Sequence, residues 1–224
     1  MTQTRLNMDR KYLVKPPREF SAEWASKLQT RLRRLVRRRS NSLGDVRVVA
    51  GLDSSYRGGL AFGAAVTVDL ETMATKECAS ATMEIAFPYV PGLLAFREAP
   101  VLLAAVKKLK NPPDIYLVDG HGYAHPRRFG LACHIGIALN ASTIGIAKGR
   151  LCGTISGTRL KDRGETIGAV MPRTPGKPLY ISVGHKISLR NAVRIVAQCF
   201  RIGVRNPICL AHMEANRARE ALAQ

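Results

Sequence analysis

The sequence predicts an α/β fold: one mixed central sheet, an antiparallel meander followed by parallel strands, flanked by helices. Three observations lead there. Residues 46–85 read as three apolar strands separated only by tight turns, which forces antiparallel pairing. From residue 91 onward helical stretches alternate with short apolar runs, and strands separated by helices usually pair in parallel. The chain has 224 residues, 46% of them hydrophobic, enough for one core and short for two, so a single domain is expected over 1–224.

Element by element, Ser21 can cap a basic helix running to about Arg39, with Trp24, Leu28, Leu32, Leu35 and Val36 on one stripe. Asn41-Ser42-Leu43-Gly44-Asp45 reads as a turn into a buried strand, Val46–Asp53. Gly58-Gly59 turns the chain into Leu60–Val68, and a turn near Asp69–Met73 leads to a third strand, about Ala74–Ile85. Pro91–Leu109 has helical spacing, and Pro112-Pro113 stops it before a short strand, Ile115–Asp119. Pro126 opens a helix to about Leu139, and Thr143–Ala147 is another buried strand. Strands near Thr166–Val170 and Leu179–Val183 and helices at about Leu189–Phe200 and Ile208–Ala223 complete the chain. A meander followed by β-α-β-α-β is the order of the ribonuclease H-like fold, although other α/β folds share it.

Charge bears on function. Lys and Arg total 35 against 16 Asp and Glu, a net charge of +19, which points to a polyanion partner such as nucleic acid. Arg31, Arg33, Arg34, Arg37, Arg38 and Arg39 crowd the first helix, as a solvated face or as a surface that tracks phosphates. The five cysteines form no Cys-x-x-Cys pair, which fits reduced core thiols and not a zinc site. Residues 1–5 are polar and charged, and no apolar run approaches the roughly 20 residues that span a membrane. A cytoplasmic protein, acting as a monomer without membrane contact, is expected.

Chemistry concentrates at strand ends. Asp53 follows Val48-Val49-Ala50-Gly51-Leu52, and Asp119 follows Ile115-Tyr116-Leu117-Val118. A carboxylate there is costly unless something positive pairs with it. Two such strands side by side would offer hard oxygen ligands suited to Mg²⁺ or Mn²⁺, although each Asp could instead cap a turn or pair with an Arg. Glu98, in Phe96-Arg97-Glu98, has an ordinary reading as a surface residue. His125 stands where a helix would begin, a natural anion site, within a Gly-rich turn that also holds His121. Lys148, leaving the run Ile144–Ala147, could snorkel or reach a phosphate.

Several strings, in order, resemble the endonuclease V family. They are Val49-Ala50-Gly51-Leu52-Asp53, Pro88-Tyr89-Val90-Pro91-Gly92-Leu93-Leu94-Ala95-Phe96-Arg97-Glu98, and Asp119-Gly120-His121-Gly122 running on to Ala124-His125-Pro126-Arg127. Thr143-Ile144-Gly145-Ile146-Ala147-Lys148, Ser182-Val183-Gly184-His185 and Ala211-His212 follow. The resemblance covers about residues 18–220 and implies a ribonuclease H-like fold with a Mg²⁺ site, at which Mn²⁺ would substitute. It implies that Asp53 and Asp119 bind metal directly, that Glu98 completes the acidic cluster, and that His212 joins it from the last helix. Lys148 and His125 would hold the scissile phosphate. Pro88-Tyr89-Val90-Pro91 would be a stiff wedge whose ring fills the gap left by a flipped base. Gly92, Gly120 and Gly122 would shape the base pocket.

The implied activity is nicking of DNA at the second phosphodiester bond 3′ to deoxyinosine, leaving 3′-hydroxyl and 5′-phosphate ends, as in DNA repair. The alternatives are an inosine-specific endoribonuclease and a basic nucleic-acid-binding protein on a dead nuclease fold. The intact set Asp53, Glu98, Asp119, Lys148 and His212 argues against the last. The dense N-terminal arginines and the short basic stretch Gly153–Gly164 depart from the family pattern.

Overall fold

The computed structural model describes residues 21–39, 45–173, 176–201 and 205–222. The expected turn at 41–44 and the first residues of the resemblance, 18–20, lie outside them. β1 (Val48–Arg57), β2 (Leu60–Asp69) and β3 (Thr75–Glu84) form the expected meander. β4 (Ile115–Asp119) lies parallel to β1, and β5 (Thr143–Ala147) parallel to β4. Helices α2 (Leu94–Val106) and α3 (Leu131–Leu139) provide the crossovers. This is the ribonuclease H-like arrangement that the element order predicts.

Beyond β5 the sheet turns antiparallel. β9 (Leu179–His185) pairs antiparallel with β5, and β8 (Glu165–Met171) with β9. β7 (Arg159–Asp162) and β6 (Thr154–Ser156) continue the sequence to the far edge. The hairpin β6–β7 was not legible in sequence, because strands of 3 and 4 residues carry too few alternations to show a period.

Strand alternation sorts the core into two layers. Ala50, Leu52, Tyr116 and Val118 pack under α2 and α3. Val49, Ile115, Leu117, Ile144 and Ile146 face α4 (Leu189–Cys199) and α5 (Pro207–Ala221). Two glycines let helices approach the sheet closely. A Cβ on Gly51 would lie 2.0 Å from the carbonyl oxygen of Pro207 at the start of α5, and one on Gly63 2.7 Å from that of Val101 on α2. Gly in a strand interior often marks such an approach.

α2 is three residues shorter at each end than the expected Pro91–Leu109, and two other helix boundaries differ more. α1 (Ala22–Leu32) is capped by the Ser21 side chain as predicted, but a 3₁₀ turn at Arg33–Leu35 replaces its continuation to Arg39. Continuing would place Arg33 over Arg37 and Arg34 over Arg38, like charges one turn apart. The extended chain instead lets Arg37 donate its N–H to His185 Nδ1 (3.3 Å) and brings Arg38 to Glu165 and to the Tyr123 ring. α3 starts at Leu131 and not at Pro126. Residues 121–130 are held as a turn-rich loop: Tyr123 N–H donates to Val183 O at 2.7 Å, Gly122 N–H to Ser182 Oγ at 2.9 Å, and Arg128 adopts φ 58°.

Candidate active site

Leu52 of β1 stands opposite Val118 of β4 in parallel register. The next residue on each strand is therefore Asp53 or Asp119, and alternation turns both carboxylates toward the α5 face. β1 runs on past Asp53, because β2 pairs with it as far as Arg57, so Asp53 does not end its strand as expected. It does lie at the point where β4 stops. Both side chains are largely buried, and burial first, then the neighbouring Asp119 charge, holds the Asp53 carboxyl above its usual range.

Three further elements close on this rim. The Asn206 side chain and Pro207 start α5, and the close contact at Gly51 fixes its height over β1. His212, on the second turn of α5, hydrogen-bonds Asp53 Oδ2 through Nδ1 at 2.8 Å. Asn216 lies 2.9 Å from its Nε2 and donates there, so the proton sits on Nδ1 and the ring is pinned at both ends. Lys148, just beyond β5, donates to Asp119 Oδ2 at 2.6 Å. Burial works against the Lys148 charge, but Asp119 outweighs it and holds the ammonium pKa above normal. Glu98 projects from α2 and accepts from Tyr56 Oη at 2.9 Å. Burial above all, with the charges of Asp53 and Asp119 adding, pushes Glu98 up to about 7.

Asp53, Glu98, Asp119, Lys148 and His212 thus converge, from β1, α2, β4, the end of β5 and α5. Among the described residues no three His, Cys, Asp or Glu side chains already stand as a metal cage. Asp119 is turned onto Lys148 and Asp53 onto His212, so each carboxylate already has a partner. The donor set nonetheless fits a hard divalent cation. The Asp119 charge raises the cost of ionising Asp53, both raise that of Glu98, and the ligands that remain are oxygens.

The Pro88–Pro91 segment is built separately. Buried Phe87 and Leu93 anchor its two ends against Ala25 of α1, and Arg97 donates to Phe87 O at 3.0 Å. Between them Pro88 and Pro91 are exposed, and Tyr89 is 67% exposed. Gly92, at φ 78°, turns its carbonyl inward to accept from Gln29 Nε2 (3.0 Å), Arg127 Nη2 (2.8 Å) and His125 Nε2 (3.0 Å). Arg127 N–H also donates to His125 Nδ1 at 3.1 Å, so the ring is neutral with its proton on Nε2. Burial first, then the Arg127 charge, pushes His125 down to about 4. His125 therefore does not open a helix, and both its nitrogens are occupied inside the protein.

A cavity of about 180 Å³ lies beside Tyr89, lined by Gln29, Gly92, Leu94, His121 and Leu131 among others. Gly92 borders it. Gly120 and Gly122 do not. A Cβ on Gly122 would meet Val183 O at 2.2 Å, and Gly120 adopts φ 147°. Sequence reasoning also passed over Gln29, Tyr56, Arg127 and Asn216. A Gln on the apolar stripe of α1 was the one available signal, since a buried amide needs partners.

The endonuclease V family model matches residues 30–213. The chain belongs to the endonuclease V family. It is 40% identical over 207 residues to the endonuclease V of Thermofilum pendens, covering 89% of each chain. It is 42% identical over 189 residues to that of a Roseiflexus species, covering 80% of this chain and 82% of the other. The crystal structure of endonuclease V from Streptomyces avermitilis superposes with a TM-score of 0.82 at 33% identity, over 92% of this chain and 96% of that one. Endonuclease V of Ciona intestinalis, solved with a DNA 24-mer containing an inosine followed by a ribo-adenosine, superposes with a TM-score of 0.77 at 28% identity, over 90% and 98% of the two chains. This chain is therefore an endonuclease. Among the described residues no helix is long and apolar enough to cross a membrane.

The contact between Gly51 and α5 makes a prediction about this endonuclease V. Gly51→Ala should force the start of α5 off the sheet and move His212 away from Asp53. Overpacking of this kind costs about 1–3 kcal/mol. A lower melting temperature together with reduced nicking is the expected result, and a variant as stable and active as the parent would show that α5 is not held by this contact.

Proposed function

We propose that this endonuclease V nicks DNA at the second phosphodiester bond 3′ to deoxyinosine, using Mg²⁺, or Mn²⁺ in its place, held by Asp53 and Asp119 with Glu98 completing the cluster. The observation that carries the reading is the pairing of a carboxylate rim with an exposed Tyr89 beside a cavity of about 180 Å³, in a chain whose Ciona relative holds inosine-containing DNA. When bound there, a divalent cation supplies activation of water and neutralisation of charge at the reacting phosphate.

The chain's own residues do the rest. Lys148 is exposed enough to leave Asp119 and meet a phosphate oxygen, which places a positive charge where negative charge develops. His212, oriented by Asn216, keeps Asp53 turned to the rim. Tyr56 holds Glu98 in place. His125 acts as a positioning residue: it clamps Gly92 O and so stiffens the wedge, in place of the phosphate contact that the resemblance implied. Tyr89 fills the stack when the base flips into the cavity. The enzyme acts as a cytoplasmic repair monomer in this reading.

The test is cleavage of matched strands with one deoxyinosine, one ribo-inosine or no lesion, in Mg²⁺ and in EDTA. A single cut two bonds 3′ of deoxyinosine, lost in EDTA, is expected. Equal cutting of the undamaged strand would overturn the reading, and cutting confined to the ribo-inosine strand would make the enzyme an endoribonuclease.

The basic N-terminal surface supports binding along the backbone. Arg33, Arg34 and Arg37 are exposed, whereas Arg38 is already engaged by Glu165. Neutralising the first three should flatten the dependence of log K on log salt by up to about 2–3, since each phosphate contact contributes roughly 0.7–0.9. A salt titration of binding to undamaged duplex measures this. An unchanged slope would mean that the chain just after α1 faces away from the nucleic acid.

A further inference from the structure

Two cavities flank the C-terminal end of β4, one lined from the α2 and α3 face of the sheet and one from the α5 face. The first, about 180 Å³, is walled by Leu94 and Ala95 of α2, Leu131 of α3 and His121, beside Tyr89. The second, about 220 Å³, lies on the α5 face among Asp119, Lys148, Arg173, Asn206, Cys209 and His212. Asp119 and His121 are only two residues apart, so the end of β4 is the divide between the cavities. A strand whose base occupies the first cavity and whose backbone passes the carboxylates must continue over this divide. The proposed reaction sets the direction, because the bond cut lies 3′ to the base.

We propose that the α5-face cavity is the subsite for the strand 3′ of the cut, and that Arg173 holds the first phosphodiester beyond it. The inference rests on the function proposed above. Arg173 follows the end of β8 at Met171 and is exposed. Among the described residues it has no ion pair or hydrogen bond, whereas Lys148, the other cation of the cavity, is held by Asp119. A guanidinium free of carboxylates matches a phosphodiester with two parallel N–H donors. The Asn206 cap at the start of α5 lines the same wall and adds the positive end of a 15-residue helix. The carboxylates and a cation would act on the scissile phosphate, and Arg173 on its 3′ neighbour, which fixes the reacting linkage from the side away from the flipped base.

The experiment removes one phosphate charge and one side chain together. Wild type, Arg173→Ala and Arg173→Lys are compared on a strand with one deoxyinosine, with and without an uncharged methylphosphonate at the first linkage beyond the cut. A charge-assisted contact corresponds to roughly a 10- to 150-fold loss in kcat/KM. The wild type should lose that much on the methylphosphonate strand. Arg173→Ala should lose as much on the normal strand but little more when both changes are combined, and Arg173→Lys should fall between. A methylphosphonate placed 5′ of the inosine should instead add fully to Arg173→Ala. Full additivity at the 3′ linkage, or an Arg173→Ala enzyme equal to wild type on the normal strand, would overturn the inference. Failure of the wild type to cut the unmodified inosine strand would instead overturn the proposed function itself.

Discussion

Asp53→Asn or Asp119→Asn should lower nicking of an inosine strand in Mg²⁺ by about 10³-fold or more, with folding and DNA binding largely intact. Each change keeps the shape of the side chain and removes a negative charge from the rim. Charge stabilisation by a bound cation amounts to several kcal/mol, and each 1.36 kcal/mol is tenfold in rate. Single-turnover nicking assays measure the loss, and full activity of either variant would sink the assignment of the site.

Asp53→Asn, although it lowers activity, should raise stability in the absence of metal, and so should Glu98→Gln. Burial and neighbouring charge hold Asp53 and Glu98 above the usual carboxyl range, Glu98 at about 7. A carboxyl whose pKa is raised by folding binds its proton more tightly in the folded state than in the unfolded state. Stability therefore falls as pH rises through the range from the unfolded value of Glu98, about 4.5, to about 7. Asp53→Asn and Glu98→Gln remove that cost, so each should melt higher than wild type in EDTA at pH 8, and added Mg²⁺ should stabilise wild type more than either variant. Melting curves that are lower in EDTA would mean the acidic cluster is not strained.

Tyr89→Ala should reduce binding and cleavage of inosine strands by roughly 5- to 150-fold, because base–aromatic stacking is worth about 1–3 kcal/mol. Its ring is 67% exposed, on a loop whose ends are buried and whose exit at Gly92 is clamped by three donors. The loop is therefore preorganised, and little ordering opposes insertion of the ring. Tyr89→Phe should be mild, since it keeps the π-face. Undamaged DNA should bind almost as before, because phosphate contacts dominate there. Affinities of the three proteins for matched strands, with Ca²⁺ replacing Mg²⁺ to suppress cleavage, decide the matter. An equal loss on damaged and undamaged strands would make Tyr89 a structural residue.

Much of the candidate site was legible because its residues sit where local patterns break. Asp53, Asp119 and Lys148 each follow an apolar run, and a charge at that point stands out against the burial around it. Glu98 and His212 were legible only through resemblance, since a Glu or His on a helix shows no pattern of its own. His125 was misplaced as a helix opener, because the run after Pro126 is apolar enough for a helix while Gly130 and the β9 contacts hold it in turns. Gly120 and Gly122 were read as pocket walls, although backbone crowding against β9 explains the second.

The sequence alone determined the order of the main elements apart from the β6–β7 hairpin, the bounds of β4 and β5, and the place of Asp53 and Asp119 after apolar runs. Those features arise from alternation, apolar runs and turn residues, which act over a few neighbouring positions. Tertiary structure alone decided that α5 rides on Gly51, that His212 meets Asp53 across 159 residues, that Tyr56 meets Glu98, and that Gln29, His125 and Arg127 share one carbonyl. Each of these contacts depends on the height and rotation of a helix or loop packed against the sheet. Side-chain volumes of the whole core set those, and no local stretch of sequence encodes them.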